Sequence, residues 1–145
     1  MESSTFGRFH HAGVAVHRID EAMGFLRAAL GATEEGQKVH DPEQGVHIQF
    51  MMAGGLRIEL LEPASNPSPL DGILKRGIGL YHVGYEVDEL DERLASMCAA
   101  GAAVVSPPKS AVAFGGRRVA FLMWKGSMIE LIEGTSNSAA KLSAS

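Results

Sequence analysis

Two short words recur in this chain, His-x-Gly-x-x-Val and, far downstream, Ile-Glu-Leu, and their repetition limits the fold more than any other feature. The first copy runs from His11-Ala12-Gly13-Val14-Ala15-Val16 to Ile58-Glu59-Leu60-Leu61-Glu62. The second runs from His82-Val83-Gly84-Tyr85-Glu86-Val87 to Ile129-Glu130-Leu131-Ile132-Glu133. His and Glu stand 48 residues apart in both copies, and the second copy follows the first by 71 residues without a gap. Such a constant offset marks an internal duplication, so the chain is expected to build one structural unit twice.

The intervening sequence gives each copy the same run of elements. Residues 9–16 read as a strand with Phe9, His11, Gly13 and Ala15 on one face. Asp20 is a candidate N-cap, and Ala22, Phe25, Leu26, Ala29 and Leu30 recur at helical spacing until Gly31, which predicts an amphipathic helix over 20–30. Thr33 to Lys38 is a polar stretch, and Asp41-Pro42-Glu43-Gln44-Gly45 is a turn. Residues 46–52 and 56–62 then read as strands joined at Gly54-Gly55, and the half reads βαβββ. The three prolines of Pro-Ala-Ser-Asn-Pro-Ser-Pro exclude a central strand or a helix interior there, and Ser68-Pro69 caps a short helix through Leu74.

The second half repeats the first: strand 80–87, helix 88–100 ended by Gly101, strand 103–106, a turn at Pro107-Pro108, strand 117–123, a turn at Lys125-Gly126 and strand 127–133. The expectation is an α+β protein, a single domain of two tandem βαβββ modules at 8–63 and 80–134, with a linker carrying a short helix at 64–79. Residues 1–7 read as a loose leader and 135–145 as a disordered tail.

A carboxylate at the centre of Leu56-Arg57-Ile58-Glu59-Leu60-Leu61 must be accommodated, because burying it alone is costly or forces its neutral form. The same problem returns at Glu130. A divalent metal ion resolves both: two imidazoles and two carboxylates suit Co, Mn, Zn, Ni or Fe and leave positions for water or substrate. The expected ligands are therefore His11, Glu59, His82 and Glu130. Taken singly, each residue reads more readily as a satisfied strand histidine or a solvent-facing glutamate than as a ligand. Folding alone preserves an apolar face through a duplication, however, and gives no reason to keep a His and a Glu at the same two places.

Composition narrows the partners. With 46% hydrophobic residues, 145 residues can bury a core. A net charge of −4 and the absence of a Lys/Arg cluster exclude the electrostatic footprint of a nucleic-acid protein, which leaves a small molecule as the expected partner. Cys98 is the only cysteine and no secretory signal is apparent, so a reducing cytoplasm is expected. No uncharged apolar stretch approaches the ~18 residues that cross a bilayer, so a soluble protein is expected, with no membrane partner.

On these residues the chain resembles the vicinal oxygen chelate superfamily, whose paired βαβββ modules form a cupped mixed sheet of eight strands around a divalent metal. The resemblance extends over residues 8–134, places the ligands on the first and last strands of each module, and includes Phe25-Leu26-Arg27-Ala28-Ala29-Leu30-Gly31, with Leu26 where Tyr is usual. Within the superfamily it is most similar to the methylmalonyl-CoA epimerase family, through Pro42-Glu43-Gln44-Gly45-Val46, Arg57-Ile58-Glu59-Leu60-Leu61-Glu62-Pro63, Ser68-Pro69-Leu70 and Tyr81-His82-Val83-Gly84-Tyr85-Glu86-Val87-Asp88. It departs near the C-terminus: Phe121-Leu122-Met123-Trp124-Lys125-Gly126 stands where that family carries His-Pro-Lys and a Gly-rich insertion, and Phe114-Gly115-Gly116-Arg117 replaces His-Gly-Lys.

The resemblance implies a metal-dependent enzyme that moves an α-proton next to a carbonyl through a stabilised enolate, with an acyl-CoA among the carbonyl substrates and Glu130 or Glu59 as general base. His47 is a further acid/base candidate, and Lys75, Arg76, Arg117 and Arg118 are candidates for meeting a carboxylate or CoA phosphates. A homodimer is the expected assembly. A glyoxalase I-like lyase, a biosynthetic isomerase or cyclase, and a non-catalytic drug-binding protein are the alternatives on the same scaffold.

Overall fold

The computed structural model describes residues 7–134; the leader and tail expected at the two ends lie, apart from Gly7, outside the described residues. The elements in chain order are β1 (Arg8–Ala15), α1 (Ile19–Leu30), β2 (Thr33–Asp41), β3 (Val46–Ala53), β4 (Leu56–Pro63), α2 (Asp71–Lys75), β5 (Leu80–Val87), α3 (Leu90–Ala99), β6 (Ala103–Ser110), a 3₁₀ turn (Val112–Phe114), β7 (Arg118–Trp124) and β8 (Ser127–Glu133). The strands follow the order β2-β3-β4-β1-β5-β8-β7-β6 in an open eight-stranded sheet, mixed because β1 and β4 are parallel while β3 and β4 are antiparallel. The α+β class and both βαβββ runs are thus as expected. The described residues group into two compact units, His11–His82 on the one hand and residues 83–134 with 7–10 on the other.

In the unit His11–His82 the core forms where α1 meets one face of β3 and β4. Ile19, Met23, Ala32, Met51, Ile58 and Leu60 are buried together, with Val14, Val16 and Leu26 packed against them. Strand alternation then turns Glu59, between Ile58 and Leu60, to the face away from α1. The helix begins at Ile19, one residue ahead of the predicted 20–30 and with Arg18 instead of Asp20 at the N-cap position, and its first N–H is satisfied from outside: Ile19 N–H donates to Glu62 Oε1 at 2.7 Å. Asp20 and Glu21 fall in the first turn instead, where negative charge favours the helix N-terminus. Gly31 does end the helix, with φ 63°, a left-handed conformation a side chain would strain.

Thr33 to Lys38, which carries no apolar alternation, belongs to strand β2. It lies at the end of the strand order, and an edge strand tolerates charged side chains because one of its sides is unpaired. The linker helix α2 is held reciprocally, as Leu70 N–H donates to Ser68 Oγ and Ser68 N–H to Asp71 Oδ2.

In the other unit, Val87, Leu90, Leu94, Ala120, Leu122 and Leu131 form a second core beneath α3. Pro107-Pro108 lies within β6, not in a turn as the sequence suggests. β6 is the other edge, and its pairing with β7 shifts register between Ser106 and Lys109, so the missing proline N–H groups interrupt no regular ladder. The helix α3 starts at Leu90 and not at Asp88, after Glu89 at φ 56°.

Each unit carries its own core, so Leu60→Ala and Leu131→Ala are each expected to cost about 2–5 kcal/mol, the range for large-to-small changes at buried leucines, by chemical denaturation.

Candidate metal centre

β1 runs parallel to β4 with Gly13 opposite Glu59, and β3 sets Phe50 opposite Glu59. Residues directly opposite share a face, and His11 shares it with Gly13 by alternation, so His11, Phe50 and Glu59 form a row on the side away from α1. His82, on β5, completes the cluster. His11 Nε2 lies 2.9 Å from His82 Nε2, and Glu59 Oε1 lies 3.1 Å from His11 Nε2 and 3.3 Å from His82 Nε2. All three side chains are buried, with relative exposures of 0%, 2% and 2% for His11, Glu59 and His82.

Three donor atoms therefore converge, and the two ring nitrogens face each other with room for one proton between them. Ligands held about 2.1 Å from a common ion sit roughly 3 Å apart, which is the spacing found, so the residues present fit a divalent ion.

Gly13 makes the convergence possible. A Cβ at this position would lie 2.0 Å from His82 Cε1 and 2.4 Å from His82 Nε2, so the imidazole occupies the space a side chain would take. Aromatic rings fix the two imidazoles from the sides: Phe50 meets His11 edge-to-face at 5.8 Å, and Tyr81 meets His82 at 4.6 Å. Burial by itself raises the Glu59 carboxyl pKa, but the charge and hydrogen bond of His11, followed by those of His82, outweigh it and lower the group to about 2. Glu59 is thus held as a carboxylate.

Glu130 belongs to the other unit, where it has the equivalent setting. It lies on β8 opposite Phe121 of β7, as Glu59 lies opposite Phe50, and it is buried at 3% exposure while its neighbour Leu131 joins the core under α3. Of the predicted ligands, the structure brings His11, Glu59 and His82 together and gives Glu130 the matching buried position in its own unit.

His47 is not brought to the cluster. It pairs with His40 and Glu62, three residues along β3 from Phe50, and an odd spacing on a regular strand puts it on the opposite face. Arg117 and Arg118, considered for anion binding, are engaged in ion pairs: Arg117 Nη1 donates to Glu86 Oε2 at 2.7 Å, and Arg118 Nη2 to Glu133 Oε2 at 2.9 Å and Asp91 Oδ2 at 3.0 Å. Sequence reasoning also missed a forked pair beside the cluster. Arg57, two residues before Glu59, donates from Nε to Glu35 Oε1 at 2.7 Å and from Nη2 to Glu35 Oε2 at 3.1 Å. Its partner lies in the stretch not recognised as a strand; the only signal was the i, i+2 spacing of Arg57 and Glu59.

A mixed sheet built from two βαβββ runs, with a buried His/Glu group that could hold a metal ion, defines a recognisable class. Residues 10–121 match the family model of the Glyoxalase/Bleomycin resistance protein/Dioxygenase superfamily, and the chain belongs to that superfamily. It is similar to the ethylmalonyl-CoA/methylmalonyl-CoA epimerase of Cereibacter sphaeroides, 32% identical over 130 residues that cover 86% of this chain and 96% of that protein. The mitochondrial methylmalonyl-CoA epimerase of Bos taurus is 40% identical over 87 residues, 59% of this chain and 49% of that protein, so the chain spans about half the length of the mammalian relatives it matches. Among solved structures, a Streptomyces coelicolor methylmalonyl-CoA epimerase in complex with 2-nitronate-propionyl-CoA superimposes with a TM-score of 0.75 at 26% identity, covering 90% of this chain and 99% of that one.

Two outcomes follow from the cluster. Gly13→Ala is expected to displace the His82 ring, seen as altered His82 ring resonances in a variant that keeps its far-UV spectrum. The Glu59 carboxyl, depressed from 4.5 to about 2 in the fold, contributes stability that is present above pH 4.5 and lost as pH falls towards 2. Glu59→Gln is expected to flatten the pH dependence of unfolding free energy in that window.

Proposed function

We propose that this protein is a metal-dependent epimerase that removes and returns the α-proton of a methylmalonyl-CoA-type thioester, with His11, Glu59, His82 and Glu130 holding one divalent ion. The observation that carries this reading is the approach of His11 Nε2, His82 Nε2 and Glu59 Oε1 to about 3 Å of one another in a buried setting. The four residues together are a chemically sensible donor set, and relatives over nearly the whole chain are named as methylmalonyl-CoA epimerases. Co, Mn, Zn, Ni and Fe all accept mixed imidazole and carboxylate ligation.

A bound divalent ion supplies Lewis acidity, which polarises a substrate carbonyl and makes the neighbouring α-proton easier to remove. The chain's own residues do the rest. His11 and His82, fixed by Phe50 and Tyr81, present their Nε2 atoms in set directions, and Glu59 stays ionised because of the two imidazoles. Inversion at one carbon requires one group to take the proton and another to return a proton from the opposite side. Glu59 and Glu130 are the carboxylates assigned to those roles, since a general base must reach the α-carbon within hydrogen-bonding distance. His47, on the other face of its strand, has no part in this mechanism.

An acyl-CoA substrate, a homodimeric assembly and a cytoplasmic location belong to the same proposal. Among the described residues no helix is long and apolar enough to cross a membrane.

Protein purified without added metal is expected to contain about one equivalent of a divalent ion by elemental analysis and to wash solvent deuterium into the α-position of methylmalonyl-CoA. Glu130→Gln should slow that exchange by roughly 10²–10⁴-fold, the usual contribution of a general base. Unchanged metal content in His11→Ala and Glu130→Ala, or a metal-loaded protein that leaves the α-proton unexchanged, would overturn the proposal.

A further inference from the structure

On the opposite side of the same three strands, the pairing lines up a second set of donors. His40 on β2 lies directly opposite His47 on β3, and His47 lies directly opposite Glu62 on β4. The three therefore share the face that carries Met51 and Leu60, whereas His11 and Glu59 occupy the other. The His40 and His47 rings are 4.9 Å apart between centroids and tilted by 43°, a spacing at which two imidazole nitrogens can ligate one ion at roughly 2.0–2.1 Å each.

The geometry is prepared in advance. The segment between the two histidines is the hairpin loop, in which Gln44 N–H donates to Asp41 Oδ1 at 3.1 Å and Gly45 N–H to the Asp41 carbonyl at 2.9 Å. Neither strand has to be reordered to bring the rings together, which removes much of the entropic cost of chelation. Glu62, opposite His47 on β4, accepts the Ile19 N–H with Oε1 at 2.7 Å at the start of α1, so the two imidazoles are the protein ligands of the pair. His40 is exposed and His47 half-buried, so an ion and its remaining water ligands can reach the pair from solvent.

We propose that His40 and His47 form a second, surface site for a borderline divalent transition metal such as Zn²⁺ or Cu²⁺, separate from the buried centre, with water completing the ligand shell. Two imidazoles from adjacent strands select such ions over Mg²⁺ or Ca²⁺, which require oxygen ligands. Binding there ties the edge strand β2 to β3 and stabilises the hairpin by mass action.

The test is equilibrium dialysis of the full chain against Zn²⁺, followed by elemental analysis. The wild type should retain one equivalent more than His40→Gln/His47→Gln. The variant His11→Ala/Glu59→Ala, which removes the buried centre, should still retain the equivalent that His40→Gln/His47→Gln loses. Failure of the epimerase reading therefore leaves this result intact. Sub-stoichiometric Cu²⁺ should broaden the His40 and His47 ring resonances before those of His10 and His17. Should the double substitution impair folding, His40→Gln alone, at an exposed edge position, is expected to weaken the surface site at least tenfold. Equal Zn²⁺ uptake by the wild type and both His40 variants, or broadening that spares His40 and His47, would overturn the proposal.

Discussion

Everything at the buried centre depends on one close approach: the imidazole of His82 fills the space where residue 13 has no side chain. That single absence lets two ring nitrogens and a carboxylate oxygen come within 2.9–3.3 Å of one another while shielded from water. Unscreened donors at that distance are unfavourable unless a proton or a cation lies among them, and the strength of the mutual field is visible in the carboxylate of Glu59, which stays ionised despite full burial. The aromatic rings of Phe50 and Tyr81 then turn a close approach into a fixed geometry.

The fold supports this by dividing labour between the faces of its strands. On β4, Ile58 and Leu60 pack under α1 and provide hydrophobic stability, while Glu59 between them is presented on the other side at no cost to the core. The second unit repeats the device on β8, with Leu131 in the core and Glu130 turned away. The same alternation leaves the α1 face free to carry different chemistry near the hairpin, where His40, His47 and Glu62 line up.

Much of this was legible in the sequence, for identifiable reasons. The helix α1 and its Gly31 stop, strands β5 and β8, and the buried residues His11, Glu59, His82 and Glu130 all showed in local pattern or in repetition. Strand β2 did not, because an edge strand has one unpaired side and can be polar along most of its length. Pro107-Pro108 misled for a related reason: prolines end a central strand but are tolerated where an edge strand loses its register. The capping of α1 by Glu62 was also hidden, since acceptor and donor are 43 residues apart.

The sequence by itself singled out the His and Glu residues that the fold buries, because a duplication that retains them at the same places shows that retention whatever the surrounding structure. It also determined the run of elements, since apolar periodicity and glycine or proline breaks are local properties. Tertiary structure decided where those residues point and what they meet. His47 resembles a site residue in sequence, yet its place in the β3–β4 register sends it to the other face; Gly13 resembles an ordinary small strand residue, yet the arrival of β5 makes it the floor beneath His82. Register and close approach are set by pairing between distant segments, and no local pattern encodes them.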